Sequence, residues 1–150
     1  MNLIESKYRN SEYPDTILCC NDTLKVYLIL KPFDFDSHKI EYVNNPELNS
    51  LVINKDGEYP KGMMKLEYSR ETCRGDREIK ELVINIHKKR YTLPINVIKG
   101  YFNPHHMSVI MGSEGDMYIE IASGNDGEAY SIMLSVVNEK IVSSKPTEVC

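Results

Sequence analysis

The alternation of apolar and polar side chains between Met107 and Ser144 restricts this chain more than any other feature of it. In Asp116 to Ala122, Met117, Ile119 and Ile121 fall on one side of a period-two pattern, and Tyr118, Glu120 and Ala122 on the other. Successive side chains of a strand point to opposite faces, so the pattern predicts a strand with one face buried. Tyr130, Ile132, Leu134 and Val136 repeat it across Ala129 to Val137, with Ser131 and Ser135 opposite. Met133 and Val137 make that second face partly apolar too, which suits a central strand. Between the two, Ser123-Gly124-Asn125-Asp126-Gly127 supplies residues that accept positive φ, as a hairpin loop requires. Ser113-Glu114-Gly115-Asp116 gives the same signal after Met107 to Met111. Asn138-Glu139 turns the chain into Lys140 to Ser144, which Pro146 is expected to end. β-Branched residues and glycine punctuation make helix the poorer reading here.

The rest of the chain continues in short strands. Met1 to Pro14 is polar, carries Tyr8 and Tyr13, and has no clear period, so it reads as a tail, a short helix or an edge piece. Thr16 to Cys20 and Leu24 to Lys31 flank Asn21-Asp22, and the second run is nearly continuous in apolar residues, as a strand covered on both faces would be. Lys39 to Val43, Ser50 to Asn54 and Met63 to Ser69 follow, the last two around Lys55-Asp56-Gly57.

Glu78 to Lys89 satisfies two periods at once. Ile79, Leu82, Val83 and Ile86 have helical spacing behind a candidate N-cap at Asp76, while Leu82, Ile84 and Ile86 have strand spacing. The Val-Ile-Asn-Ile core and a return run from Tyr91 to Ile95 tip the reading toward a hairpin. Pro94 to Phe102 reads as a strand or as one or two helical turns. About ten short strands spaced by turn residues predict a mainly β or β-rich α+β fold. An antiparallel sandwich, a barrel or a bent sheet would satisfy them, with at most one or two short helices. No repeat, linker or low-complexity tract divides the 150 residues, so they read as one domain, with 1–14 and 145–150 as flexible tails.

The totals restrict function by exclusion. No apolar run approaches the roughly 20 residues needed to cross a bilayer, and Glu5, Lys7 and Arg9 interrupt the N-terminus, so a cytoplasmic location is expected. A net charge of -4 disfavours direct nucleic-acid binding by phosphate neutralisation and fits a basic partner. Cys19, Cys20, Cys73 and Cys150 lack metal-type spacing and read as buried or idle thiols. Cys73 has Arg74 beside it, but Glu71 and Asp76 offset that charge.

Asp34, Asp36 and His38 would share one face of an extended strand, the geometry that chelation needs, yet Phe33 and Phe35 explain the same alternation as a core strand with a wet outer face, and Pro32 and Ser37 suggest a loop or edge. His105 and His106 are adjacent and would point apart in a strand. No metal or other cofactor is expected from either group. His87 has no matching nucleophile, and no nucleophile elbow, phosphate loop or zinc-protease motif occurs. Arg74-Gly75-Asp76 reads as a polar turn, and Lys88-Lys89-Arg90-Tyr91 as a solvated hairpin tip.

Tyrosine is the unusual component, with ten residues against three phenylalanines and no tryptophan. Its ring and hydroxyl suit protein contact, and they equally suit the edge of a strand core. The expectation is a non-catalytic protein-binding module, of the inhibitor or immunity type that neutralises a toxin. It would act through an acidic, tyrosine-bearing surface made of Glu114, Asp116, Tyr118, Glu120, Asp126, Glu128, Asp34 and Asp36. The alternative is a small-ligand-binding barrel, or an enzyme whose site is assembled from distant residues. A structural subunit is a third class.

Overall fold

The computed structural model describes residues 2–5, 15–37, 40–45, 49–54, 64–65, 77–95, 98, 103–112, 114–123 and 130–148. Within them the chain is mainly β. The strands are β1 (Asn2–Glu5), β2 (Thr16–Cys20), β3 (Leu24–Pro32), β4 (Ile40–Asn45), β5 (Asn49–Asn54), β6 (Met64–Lys65), β7 (Arg77–Ile86), β8 (Lys89–Leu93), β9 (His106–Met111), β10 (Met117–Ser123), β11 (Tyr130–Val137) and β12 (Lys140–Glu148). A single 3-10 turn, Phe35–Ser37, interrupts them.

A five-stranded sheet has the order β1-β9-β10-β11-β12, and a four-stranded sheet the order β2-β3-β7-β8. β4, β5 and β6 form a third, three-stranded sheet. Every described pairing is antiparallel. Among the described residues neither of the two larger sheets closes on itself, so the barrel considered from the sequence is not formed.

One apolar cluster draws on both larger sheets. Ile4, Met107, Val109, Met117, Ile119, Ile121, Ile132, Leu134 and Val136 come from the first, and Ile17, Cys19, Leu24, Val26, Leu28, Leu30, Ile79, Leu82, Ile84 and Leu93 from the second. Removing each such side chain from water contributes about 1.5–3 kcal/mol, which is why the period-two pattern fixes which face turns inward. Cys19 of β2 adds a directed link across the layers, its thiol donating to the Met107 carbonyl of β9 at 3.2 Å.

The doubly periodic stretch is strand. β7 pairs with β3, and the register steps between Ile29↔Glu81 and Leu30↔Ile79, leaving Lys80 as the additional residue of a bulge. That insertion puts Ile79 on the same side as Leu82 and Ile84, all three buried, although Ile79 and Leu82 are three residues apart. The helical spacing is thus the imprint of a bulge. The return strand β8 follows the two-residue turn His87-Lys88, where both residues have positive φ, 48° and 64°. This is the backbone of a primed two-residue hairpin turn.

Two further expectations change in detail. Pro146 does not end the last strand: among the described residues β12 pairs with β11 alone, at the edge of the sheet, and it runs on to Glu148. A proline on an edge strand removes no ladder hydrogen bond if its missing N–H would face outward. Of the stretch from Pro94 to Phe102, read as a strand or one or two helical turns, Pro94, Ile95 and Ile98 are described: the Ile98 amide donates to the Ile95 carbonyl at 2.9 Å, and Ile98 is buried. The N-terminal stretch supplies an edge piece, β1.

Candidate functional site

With Ile4, Val109, Ile119 and Leu134 committed to the core, the strand alternation leaves their neighbours on the opposite face of the five-stranded sheet. Pairing aligns those neighbours in rows. Leu3↔Ile110, Ile110↔Tyr118 and Tyr118↔Ser135 make one row. Glu5↔Ser108, Ser108↔Glu120, Glu120↔Met133 and Met133↔Lys145 make the next. Adjacent members of a row are about 4.8 Å apart across the strands. The face therefore presents an aliphatic and aromatic strip (Leu3, Ile110, Tyr118) alongside two carboxylates and the flexible Met133.

This face is open where the strip lies. Leu3 is 57% exposed and Tyr118 41%, while Ser131, further along β11, is buried. Large apolar side chains left in water on a sheet face are a feature of contact surfaces, and tyrosine loses little torsional freedom when it is covered.

The turn between β9 and β10 adjoins the strip. Gly112 donates to the Asp116 carbonyl at 2.7 Å, and Gly115 has φ of +83°, a conformation that side chains rarely adopt. The turn leaves Glu114 exposed and Asp116 half-buried, next in sequence to the strand that carries Tyr118 and Glu120. The structure thus brings Glu114, Asp116, Tyr118 and Glu120 together, and joins Leu3, Glu5, Ile110 and Met133 to them. Leu3 and Glu5 were not legible as members because only the pairing of β1 with β9, about a hundred residues apart, places them there, whereas Ile110 comes in through the local β9–β10 hairpin that aligns it with Tyr118. Met133 was legible, as the apolar residue on the polar side of its strand.

Asp126 and Glu128 lie outside the described residues, as do Cys73, Cys150, His38 and the Arg74-Gly75-Asp76 turn. Asp34 and Asp36 do not join the face, and they do not alternate along a strand. They follow β3 in the other sheet, and Asp34 organises the 3-10 turn: its Oδ1 accepts from the Asp36 amide at 3.2 Å and its carbonyl from the Ser37 amide at 3.2 Å and hydroxyl at 3.0 Å. A short carboxylate bonding its own backbone two residues on is typical turn chemistry. Among the described residues, no three of His, Cys, Asp and Glu come together as a ligand set. His105 is exposed ahead of β9, its amide donating to the Ala122 carbonyl, and His106 opens the strand half-buried.

Several other polar groups act structurally. Burial pushes the Cys19 thiol up to about 12, with Cys20 and Glu5 adding smaller effects of the same sign, so it stays protonated and inert as a nucleophile. At the start of β7, the Arg77 amide donates to Asn103 Oδ1 at 2.9 Å and the Asn103 amide to the Arg77 carbonyl at 2.8 Å. Asn103 stands in for a neighbouring strand there. The Arg77 guanidinium reaches Asp15 Oδ1 at 2.7 Å, ahead of β2. Lys31 and the buried Glu78 pair at 3.1 Å. At the other end of the sheets, Lys89 of β8 pairs with Glu139 in the β11–β12 turn, linking the two layers. Tyr91 beside it is raised by burial and, secondarily, by Glu139.

Among the described residues no helix is long and apolar enough to cross a membrane. No protein-family model, curated protein or solved structure matches the chain.

Proposed function

We propose that this chain is a non-catalytic protein-binding module whose working surface is the open face of the five-stranded sheet. Its class of action is inhibition, in the manner of an immunity protein that covers a toxin. The observation that carries the reading is the alignment of exposed Leu3 and Tyr118 with Ile110 in one row, beside Glu5 and Glu120 in the next. An apolar strip supplies area to bury against a partner, and the flanking carboxylates favour a basic one and speed its approach. Glu114 and Asp116 extend the acidic border. No cofactor takes part in such a mechanism.

The test is capture of a partner from the native cells by the tagged chain, alongside Tyr118→Ala and Glu120→Lys. One stoichiometric basic protein, held by the wild type and lost by both variants, supports the reading. Equal recovery on all three, or a neutral small molecule retained in place of a protein, sinks it.

A further inference from the structure

The four-stranded sheet carries an arrangement that the binding face does not use. Alternation splits the basic run at 88–90 between two tasks: Lys89, exposed at the rim, falls on the core side of the register and pairs with Glu139, while Arg90 lies on the outer face. There it joins a cross-strand row, since Lys25 pairs with Asn85 and Asn85 with Arg90. Three strands thus carry Lys25, Asn85 and Arg90 at one register position, with backbones about 4.8 Å apart from one strand to the next.

The donors in this row are uncommitted. Neither Lys25 nor Arg90 forms an ion pair with a described residue, and both are exposed. The Arg90 guanidinium sits 5.9 Å from the Tyr27 ring centroid. Cation–π contact restrains the group while leaving its in-plane N–H edge open, which is the edge that grips an oxyanion. In Asn85 the covered end of the amide is Oδ1, which has no hydrogen-bond partner, so the NH2 is the end left toward the surface. Glu81, the next carboxylate along β7, is four residues and roughly 13 Å away along the strand. Asp22, in the turn before β3, is exposed.

We infer that the Lys25–Asn85–Arg90 row is a binding site for a phosphate monoester group. Two cations on either side of a neutral donor match the charge of about -1.5 to -2 and the several acceptor oxygens of such a group better than they match a single carboxylate. The site lies on the sheet opposite the protein-binding face, so a ligand here leaves that face free.

The experiment is a titration of the full chain with inorganic phosphate, followed by amide chemical shifts and compared with sodium chloride at matched ionic strength. Saturable shifts centred on Lys25, Asn85 and Arg90, including the Asn85 side-chain amide, are expected. Arg90→Lys keeps the charge but loses the planar fork, and should weaken binding about tenfold, the scale of one charge-assisted hydrogen bond. Arg90→Ala and, independently, Lys25→Ala should abolish saturation. Lys145→Ala, on the other sheet, should leave it intact. Phosphoserine and a nucleoside monophosphate then separate the two sources of the group: tighter binding of either one names the source. Shifts that are linear in phosphate, that chloride reproduces, or that survive Arg90→Ala and Lys25→Ala would overturn the site and leave only a solvated cationic face.

Discussion

Lys88 occupies a backbone conformation that a residue with a side chain takes at a cost. Its φ of 64° in the second position of the β7–β8 turn is the place where glycine is preferred in a primed turn. Lys88→Gly should therefore raise stability by about 0.5–1 kcal/mol, read as a higher urea midpoint at unchanged slope. The equivalent Glu139, with φ of 65°, also pairs with Lys89, so Glu139→Gly should gain less. Cys19 makes a prediction of the opposite kind. Its thiol is raised from 9.0 to about 12 in the fold, so the unfolded chain releases the proton first. The contribution is complete below about pH 9 and falls as pH climbs toward 12, Tyr91 adding a loss of the same sign. Urea midpoints between about pH 8 and 11 should fall less steeply in Cys19→Ala than in the wild type. Parallel slopes would show that the thiol is not shielded. Residue-level chemistry of this sort was partly legible: Cys19 read as idle, whereas the carbonyl it serves, 88 residues away, was not.

At the level of elements, the bulges decide how sequence maps to face. Lys80 is the extra residue opposite Ile29 and Leu30, so removing it would leave Ile79 paired with Leu30 in a regular ladder. Deletion of Lys80 should cost no more than about 1–2 kcal/mol by thermal melting, while deletion of Val83 would turn one side of β7 inside out and unfold the chain. Equal damage from both deletions would refute the bulge. The same device explains why Glu78 to Lys89 satisfied two periods: a strand with an inserted residue places apolar positions three apart. The final strand shows a related compromise. β12 steps register at Ser135/Val136, which exposes Val142, and it carries Lys140 and Lys145 on a sheet edge. Bulges and lysines protect such an edge from pairing with other chains. The sequence pattern placed Pro146 as a terminator because the rule for a central strand was applied to an edge, and edge status is a property of the assembled sheet. At Asp34 and Asp36 the loop reading that Pro32 and Ser37 offer holds over the strand one for a local reason, since Asp34 bonds to the backbone that follows it.

Across the whole molecule, the two larger sheets divide labour between the core and two unlike outer faces. The alternation in Met117 to Val137 identified the inner and outer sides of the central strands, and so found Tyr118 and Glu120 from short-range information alone. Ile110 is within reach of the same local information, as the hairpin neighbour of Tyr118. Leu3 and Glu5 arrive through the pairing of the first and ninth strands, and long-range register is invisible to local periodicity. On the four-stranded sheet the expectation of a strand covered on both sides does not hold for Leu24 to Leu30: Leu24, Val26, Leu28 and Leu30 are buried, while Lys25 is exposed and Tyr27 and Ile29 are half-buried. Opposing charge on the two faces has a kinetic consequence. Glu120→Lys should slow association with a basic partner, with the difference shrinking as salt is raised through the range where the screening length falls to about 10 Å.

The central claim, that the face bearing Leu3, Ile110, Tyr118 and Glu120 is what this protein works with, is tested most directly by quantitative capture from its own cells. The wild type is compared with the Tyr118→Ala/Glu120→Lys double variant after both are shown to melt at the same temperature. The account predicts one basic protein recovered near one-to-one by the wild type and depleted at least about tenfold by the variant, the loss of a central anchor and its flanking charge. Recovery of the same proteins in the same amounts by both would contradict it.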